Sequence, residues 1–566
     1  MDVVYAVKKY VTEMIDQTGA GMKVLLMDDE TISIVSTVYA QSEILQKEVY
    51  LFEKISALSR EPMKHLKCIA FLRPSTDNIA LLREELRKPK YGQYYIYFSN
   101  VVSKQDVKYL AEADEQETVR EVQEYYGDYI AVSPHLFSLN IVGCKAANQW
   151  NRKSLQRAVE GLTSVLLSLK KCPTIRYQAN SDLTHKLAEA VRQTISKEAS
   201  LFDFRRTDVP PQLIIIDRKE DPITPLLNQW TYQAMVHELL TIQNNRVSLA
   251  HLTNVSKELQ DVVLSSEHDE FYAKNFASNF GEIGTKIKQL MEDFQRRSDQ
   301  QSKVESIADM KKFIETYPQF KKMSGTVSKH VTLVSELSRL VQAHSLMAVS
   351  ELEQEISCQG EHGKSLQELR ALLNNDKVRL VDKLRLVMLY ALKYESHANN
   401  DVHALVDMLT KRGLPEKDRR MVGYILDYSG QRRRSADLFG TQSAISITKR
   451  FFKGLNGVEN IFTQHTPLLS GLLDQISKAK LKESQYPFLT SSDLKDRPQS
   501  VIIFTVGGTT YEEANAVYNF NKTTPGMKVI LGGTTIHNSK SFCEEVQEAC
   551  TGAVIHQKDG GKYRMT

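Results

Sequence analysis

LIIIDRKEDPITPLLNQWTYQAMVHELL, Leu213 to Leu240, sets the class of this fold. Leu213 to Ile216 is an unbroken aliphatic run, mostly β-branched, the pattern of a strand buried on both faces of a parallel sheet. Asp217 falls where such a strand ends. Pro222 and Pro225 exclude a helix interior, whereas Thr224 ahead of Pro225 fits a hydroxyl N-cap before proline at the first helical position. The spacing of Leu226, Leu227, Trp230, Ala234, His237 and Leu240 predicts a helix from about Pro225 to Leu240 with one broad face to bury. Asp217 and Asp221 have the residue types of a metal or acid–base pair. They lie in a turn with Arg218 and Lys219, however, where aspartates usually bond nearby backbone amides, so a structural role is expected.

A second segment repeats this logic near the far end of the chain. VIIFTVGGTTYEEA (Val501 to Ala514) reads as a buried strand from Val501 to Val506, a Gly507-Gly508 turn and a helix beginning at Tyr511 to Glu513. MKVILGGTT (Met527 to Thr535) adds a strand over Lys528 to Leu531 before Gly532-Gly533. Glycines after a strand can cradle phosphate on backbone amides, but the dinucleotide pattern needs three at fixed spacing and an acidic ribose ligand about 20 residues on. Each site here has only a pair, so left-handed backbone or close packing is the expectation. Gly360 to Ser365 (GEHGKS) imitates the end of a phosphate loop, but Cys358 stands where its first glycine should and the preceding EISCQ follows a helix. No zinc-protease, nucleophile-elbow or kinase signature is present, and the 14 histidines form no ligand cluster. An enzyme-like scaffold without catalytic parts implies a binding protein, with no cofactor and no metal.

With 566 residues the chain can hold two to four cores. Lys plus Arg at 73 against Asp plus Glu at 69 leaves a formal charge of +4, too small on this length to argue for nucleic acid. The 6 cysteines are dispersed without zinc spacing, as expected of reduced thiols in the cytosol, and Cys543 and Cys550 share one helical face. The N-terminal MDVVYAVKKYVTEMI reads as a packed helix, and no apolar run approaches the ~20 residues of a membrane span, so a soluble protein is expected. QRRR (Gln431 to Arg434) reads as a solvated basic loop.

Strand-like runs at Val24 to Met27, Ile69 to Leu72, Tyr95 to Phe98 and Tyr129 to Val132 alternate with helical segments, predicting one open α/β sheet. A second α/β unit begins near Pro134, reaches the Leu213 strand and resumes at Val501. Between about Leu240 and His465 helical periodicity dominates, with polar breaks at Arg296 to Ser302 and Gln359 to Lys364. The expected class is therefore α/β, with two open, parallel-rich sheet domains and a large mainly helical domain inserted in the second. The divisions are residues 1–133, 134–240, 241–465 and 466–566, the last completing the second domain.

The DRxxDPxTPL turn with its QAM helix, VIIFTVGG and KVILGGTT resemble the Sec/Munc (SM) family of SNARE-fusion regulators. KVLLMDDET (Lys23 to Thr31), AQSEILQKEVYLFEKI (Ala40 to Ile55), FLRPS (Phe71 to Ser75), YYIYFSNVVSKQD (Tyr94 to Asp106) and YPQFKKMSGTVSKHVTLVSELSRLV (Tyr317 to Val341) agree with that resemblance, in order along the chain. Within the family they look most like the branch serving endosomes and the trans-Golgi. The resemblance implies three domains forming an arch around a cleft. It also implies binding to a syntaxin-type SNARE and its assembled complex, with an endosomal tether or Rab effector as a further partner class. Membrane contact would be indirect through SNAREs, and the protein would be a cytoplasmic monomer at endosome and trans-Golgi membranes.

Two surfaces follow from the resemblance. A pocket for the SNARE's N-terminal peptide would lie on the outer face of the first domain, with Val107, Leu110, Val122 and Tyr125 as lining candidates. A helical hairpin of the third domain would contact the partner SNAREs through Lys321, Lys322 and Val331, with Pro318 where a helix would kink or stop and Gly325 as a second weak point. Two rivals remain: an SM subunit of a lysosomal tethering complex, and, as a different class, an enzyme using Asp217, Asp221 and the glycine turns on a nucleotide.

Overall fold

The computed structural model describes residues 1–566 except 147, 206, 254, 302–306, 360, 436–437, 440–461, 491–495 and 553–566, and it leaves the side chains of 299–319 and 359 undescribed. Five parallel strands make the first sheet: β1 Lys23–Met27, β2 Val49–Lys54, β3 Met63–Leu72, β4 Tyr91–Phe98 and β5 Val119–Glu124, in the spatial order β2-β1-β3-β4-β5. Its central strands are aliphatic or aromatic and mostly buried, whereas β2 and β5 form the two edges and alternate less with more exposed positions over their first four residues. Neither edge strand was anticipated. VREVQE carries charge at three of six positions, which suits an edge that must not recruit another strand but hides it from a hydrophobicity reading.

The second sheet contains β6 Ile130–Ser133, β7 Leu136–Ser138, β8 Thr174–Tyr177, β9 Gln212–Asp217, β10 Ser500–Val506 and β11 Lys528–Gly533, in the order β8-β9-β10-β11-β7-β6. Chain from both sides of the insertion meets where β9 pairs with β10, Leu213 against Ile502 and Ile215 against Phe504. The strand expected at Tyr129 to Val132 does form, but in this sheet and not in the first. Its partner is β7, reached through the short Pro134-His135 turn, and β7 in turn pairs with β11.

Leu25, Ile69, Phe71 and Tyr97 of the first sheet share one continuous core with Leu213, Ile215, Ile502 and Phe504 of the second, joined through Val3, Val7 and Val11 of the N-terminal helix Val3–Gln17. The opposite face of the second sheet (Ile214, Ile503, Leu531) packs on the base of the helical insertion through Leu333 and Leu337. A third core surrounds the helix Leu380–Tyr394, which is buried almost all round. Cys543 and Cys550, half-buried on the helix Ser539–Thr551, pack together against this third core.

The helix expected from Pro225 begins instead at Tyr232 and runs to Leu240, preceded by a single 3-10 turn Thr224–Leu226. The Asp221 carboxylate takes both the Thr224 amide (3.0 Å) and its hydroxyl (2.7 Å), while Glu353 takes the Asn228 amide (2.8 Å). These bonds hold the intervening backbone out of the helix. In the insertion, Phe280–Gln301 and Ile307–Ala343 form a long helical pair, and the second runs through Pro318 and Gly325 without stopping at either. Pro318 removes one backbone donor; Phe320, two residues on, stacks on Phe294 of the partner helix (ring centroids 5.1 Å apart) and supports the pair across the loss. The helical unit also carries a small hairpin, Arg246–Ser248 with Asp261–Val263. Arg432 and Arg433 are exposed in the turn after the helix Met421–Ser429.

Candidate partner-binding site

The strand ends where a nucleotide would sit in an open α/β sheet are filled by side chains. Asp217 is buried and accepts from the Lys145 ammonium (2.7 Å), the Ser181 hydroxyl (2.7 Å) and the Lys219 amide (3.1 Å). Burial alone would raise the Asp217 carboxyl, but Lys145 outweighs it and holds the group below the usual range. Arg218, also buried, donates to the carbonyls of Gly508 (3.1 Å) and Asp221 (3.0 Å) and pairs with Glu513. Gly508 has φ +87°, and a Cβ there would lie 2.3 Å from the His537 ring; a Cβ on Gly532 would lie 2.0 Å from the ring of Phe137. The glycines thus permit left-handed backbone and close packing, and both aspartates are spent on structure. A π-helical turn, Glu355–Gln359, precedes the helix His362–Leu373 at the GEHGKS imitation, whose Gly360 lies outside the described residues. Among the described residues no group of three or more His, Cys, Asp or Glu is placed to hold a metal ion, and no helix is long and apolar enough to cross a membrane.

The helix Lys104–Ala111 connects β4 to β5 and lies on one face of the first sheet. Ser103 caps it, its hydroxyl accepting the Asp106 amide at 3.0 Å, and Glu124 of β5 accepts the Val102 amide at 2.8 Å, tying the helix entrance to the edge strand. Leu110 points into the core beneath, among Ile96, Phe98 and Leu82. Val122 pairs with Ile96 across the sheet and shares that face, yet 41% of it is exposed, and among the described residues no strand pairs with the outer edge of β5. Val107, one helical turn before Leu110, is half-buried. Val107 and Leu110 of this helix and Val122 of the edge strand therefore lie on one side of the first sheet, with Leu110 the most deeply buried of the three.

Tyr125 does not join them, which corrects the expected set. It lies on the opposite face of the sheet, 6% exposed, with its ring 5.0 Å from Tyr10 and 5.5 Å from Tyr97, and its hydroxyl donates to Gln17 at 3.1 Å. The three-residue spacing from Val122 suits one helix face, but the chain here is extended and then turns. Tyr109 was not among the expected residues. It is 37% exposed on the same helix, and the Arg83 guanidinium of the adjacent helix Thr76–Arg87 lies 3.7 Å from its ring centroid. The available signal was an aromatic residue at a position the helical stripe leaves outside.

On the helical pair, Lys321 and Lys322 are exposed, and Val331 is half-buried against the second core; the Pro318 side chain lies outside the described residues. Between them the helix is fixed by a polar cluster absent from the sequence-based set. The fully buried His330 donates from Nε2 to Asp269 (2.9 Å) and accepts at Nδ1 from the Tyr232 hydroxyl (2.7 Å), the tautomer that satisfies both partners. Lys329 pairs with the same Asp269 and donates to the Val263 carbonyl at 3.1 Å. Burial opposes ionisation of Asp269, but the hydrogen bond from His330 and the charge of Lys329 prevail and hold its carboxyl well below the usual range.

The Sec1 family model matches residues 23–545. "Vacuolar protein sorting-associated protein 45" of Rattus norvegicus is 61% identical over 547 residues, covering 96% of each chain. The protein of that name from Saccharomyces cerevisiae is 36% identical, covering 93% of this chain and 94% of its own. Among solved structures, the SM protein Vps45 in complex with the Qa SNARE Tlg2 superposes with a TM-score of 0.91 at 48% identity, covering 98% of this chain and 99% of that one. The Unc18–syntaxin 1 complex from Monosiga brevicollis shares the fold, with a TM-score of 0.78 at 20% identity over 97% of this chain and 99% of that one.

Proposed function

This chain belongs to the Sec1 family, and on that premise we propose that it regulates SNARE-mediated vesicle fusion in endosomal and trans-Golgi trafficking by binding a syntaxin-type SNARE. The carrying observation is the similarity, nearly end to end, to an SM protein solved with a Qa SNARE bound. Two surfaces serve the binding. The groove framed by Val107, Leu110 and Val122 takes an apolar side chain of the SNARE's N-terminal peptide, an anchor worth roughly 1.5 to 3 kcal/mol by burial. The long helical pair, through Lys321, Lys322 and Val331, holds partner SNARE helices in register. Pro318 and Gly325 are the points at which its second helix rearranges.

Occupying the groove raises the effective concentration of the rest of the SNARE at the second surface, so a weak contact there becomes productive. Holding the helices together lowers the entropic cost of starting a helical bundle. No bond is made or broken in this scheme, and the filled strand ends around Asp217 and Arg218 support a scaffold rather than a nucleotide enzyme. The protein works as a cytoplasmic monomer that reaches endosome and trans-Golgi membranes through its SNARE.

Calorimetric titration with N-terminal peptides from a panel of syntaxin-type SNAREs tests this reading, with Val107→Arg as the groove control. Binding of one peptide at micromolar strength or better, lost in a variant that remains folded, is the expected result. Absence of binding to every peptide refutes the groove.

A further inference from the structure

A polar bridge joins the first α/β unit to the helical insertion. Glu43, on the helix Gln41–Leu45, faces the Lys8 ammonium of the N-terminal helix at 3.3 Å on one side and the His268 ring at 3.7 Å on the other. A second contact lies beside it, where the Asn244 side-chain amide donates to the Ser33 hydroxyl at 3.0 Å. Neither contact belongs to a core: Lys8, Glu43 and His268 are all partly exposed, and their polar atoms meet at the seam between units far apart in sequence.

The position of His268 gives this seam its interest. The next residue is Asp269, which holds both Lys329 and the buried His330 of the helix Ile307–Ala343. At the other end, Lys8 lies on the helix whose Tyr10 packs on Tyr125, directly after β5 and the Val122 edge. The two proposed SNARE-binding surfaces thus lie on either side of this polar seam, which Glu43 spans between Lys8 and His268 beside the Asn244–Ser33 bond. On one side are β5, Tyr125 and the N-terminal helix; on the other, His268, Asp269 and the hairpin.

Building on the proposed function, we propose that Glu43 is a positioning residue whose carboxylate, clasped between Lys8 and His268, sets the orientation of the hairpin relative to the peptide groove. The charges around the clasp favour an adjustable contact over a rigid one. His268 faces Glu43 and Glu267, which favour its protonation, and Lys8 and Lys322, which oppose it; together with partial burial the balance keeps it below its ordinary pKa. Among the described residues its Nε2 has no hydrogen-bond partner, so the ring is held by proximity to the carboxylate and can release it without breaking a hydrogen bond there. A clasp of this kind lets the two surfaces change their mutual angle while each remains folded.

The test is a spin-label distance distribution in the full chain, between Leu58→Cys in the fully exposed loop after β2 and Met291→Cys on the helix Phe280–Gln301, with the exposed Cys172 changed to Ser. Glu43→Ala and His268→Ala should each broaden the distribution, and the double variant should be no broader than either, because both remove the same contact. His268→Ala controls for the second task of Glu43, which accepts the Ala40 amide at 3.2 Å and so caps its own short helix. In the same variants, affinity for the isolated N-terminal peptide should stay within about twofold. Affinity for the whole cytosolic part of the SNARE should fall by about two- to fivefold, the range expected of a weak, partly exposed polar contact.

An unchanged distribution in either single variant, or additive broadening in the double, overturns the proposal. Failure of the wild-type protein to bind any peptide would overturn the functional reading instead, and the distance result would still decide whether Glu43 positions the hairpin.

Discussion

Val122 and Tyr125 are three residues apart and on opposite faces of one sheet, so their substitutions should separate binding from stability. Tyr125 is buried against Tyr10 and Tyr97. Tyr125→Ala opens an aromatic-sized hole and strands the Gln17 partner, at a cost of about 3 to 5 kcal/mol. Val122 has 41% of its surface free for a ligand to cover. Full burial of a valine contributes roughly 1.5 kcal/mol, so covering that fraction is worth about 0.6 kcal/mol, or about threefold in affinity on truncation to Ala. Val122→Arg adds bulk and a poorly solvated charge within the groove, and a loss of at least about tenfold is expected. Unfolding of a chain with several cores is not a single transition, so the local effect is best read by native-state hydrogen exchange on β4, alongside peptide titration. The expected pattern is faster exchange with retained affinity for Tyr125→Ala, and retained protection with lost affinity for Val122→Arg. Lost affinity with intact β4 protection in Tyr125→Ala would refute the assignment of the groove to the other face.

Three predictions concern the scaffold. Burial pushes the Glu353 carboxyl up to about 7 from 4.5, despite the neighbouring Arg385 and the Asn228 amide. The folded state therefore holds the extra proton between those values, and stability falls as pH rises through that window. Glu353→Gln should flatten the fall when denaturant titrations at about pH 5 and about pH 8 are compared. Lys145→Met leaves Asp217 buried without its cation and should cost about 3 to 5 kcal/mol in urea titration, part of it recovered by adding Asp217→Asn. Gly532→Ala drives a methyl into the Phe137 ring and should cost about 1 to 3 kcal/mol, relieved in part by Phe137→Leu.

Strands buried on both faces were legible because nothing but burial explains runs such as LIII and VIIF. They pair side by side in parallel register, as their composition implies. Edge strands were not legible: β5 carries Arg120, Glu121, Gln123 and Glu124, which water solvates and which conceal the two valines. A local bond and a tertiary one moved the start of the Tyr232 helix, since Asp221 nearby and Glu353 far along the chain capture backbone amides that the helical spacing assigns to the helix. Pro318 shows the converse. Its intrinsic preference predicts a stop, and packing between two long helices overrides it. Val107, Leu110, Val122 and Tyr125 were all named through family resemblance, and the three-residue spacing of Val107 and Leu110 agrees with their place on the helix Lys104–Ala111. Tyr125 fell on the other side because it follows an extended strand, whose alternation the sequence had not revealed. The His330–Asp269–Tyr232 cluster could not be seen, because its members lie far apart in the chain and meet only after folding.

The central claim, that this protein brings SNARE helices together from two surfaces, is tested most directly by the rate of SNARE complex assembly, followed by energy transfer between labelled SNAREs with the protein present or absent. The account predicts acceleration that disappears when the syntaxin-type SNARE lacks its N-terminal peptide, and again when Lys321 and Lys322 are both changed to Glu. Assembly that proceeds at the same rate with and without the protein would contradict it.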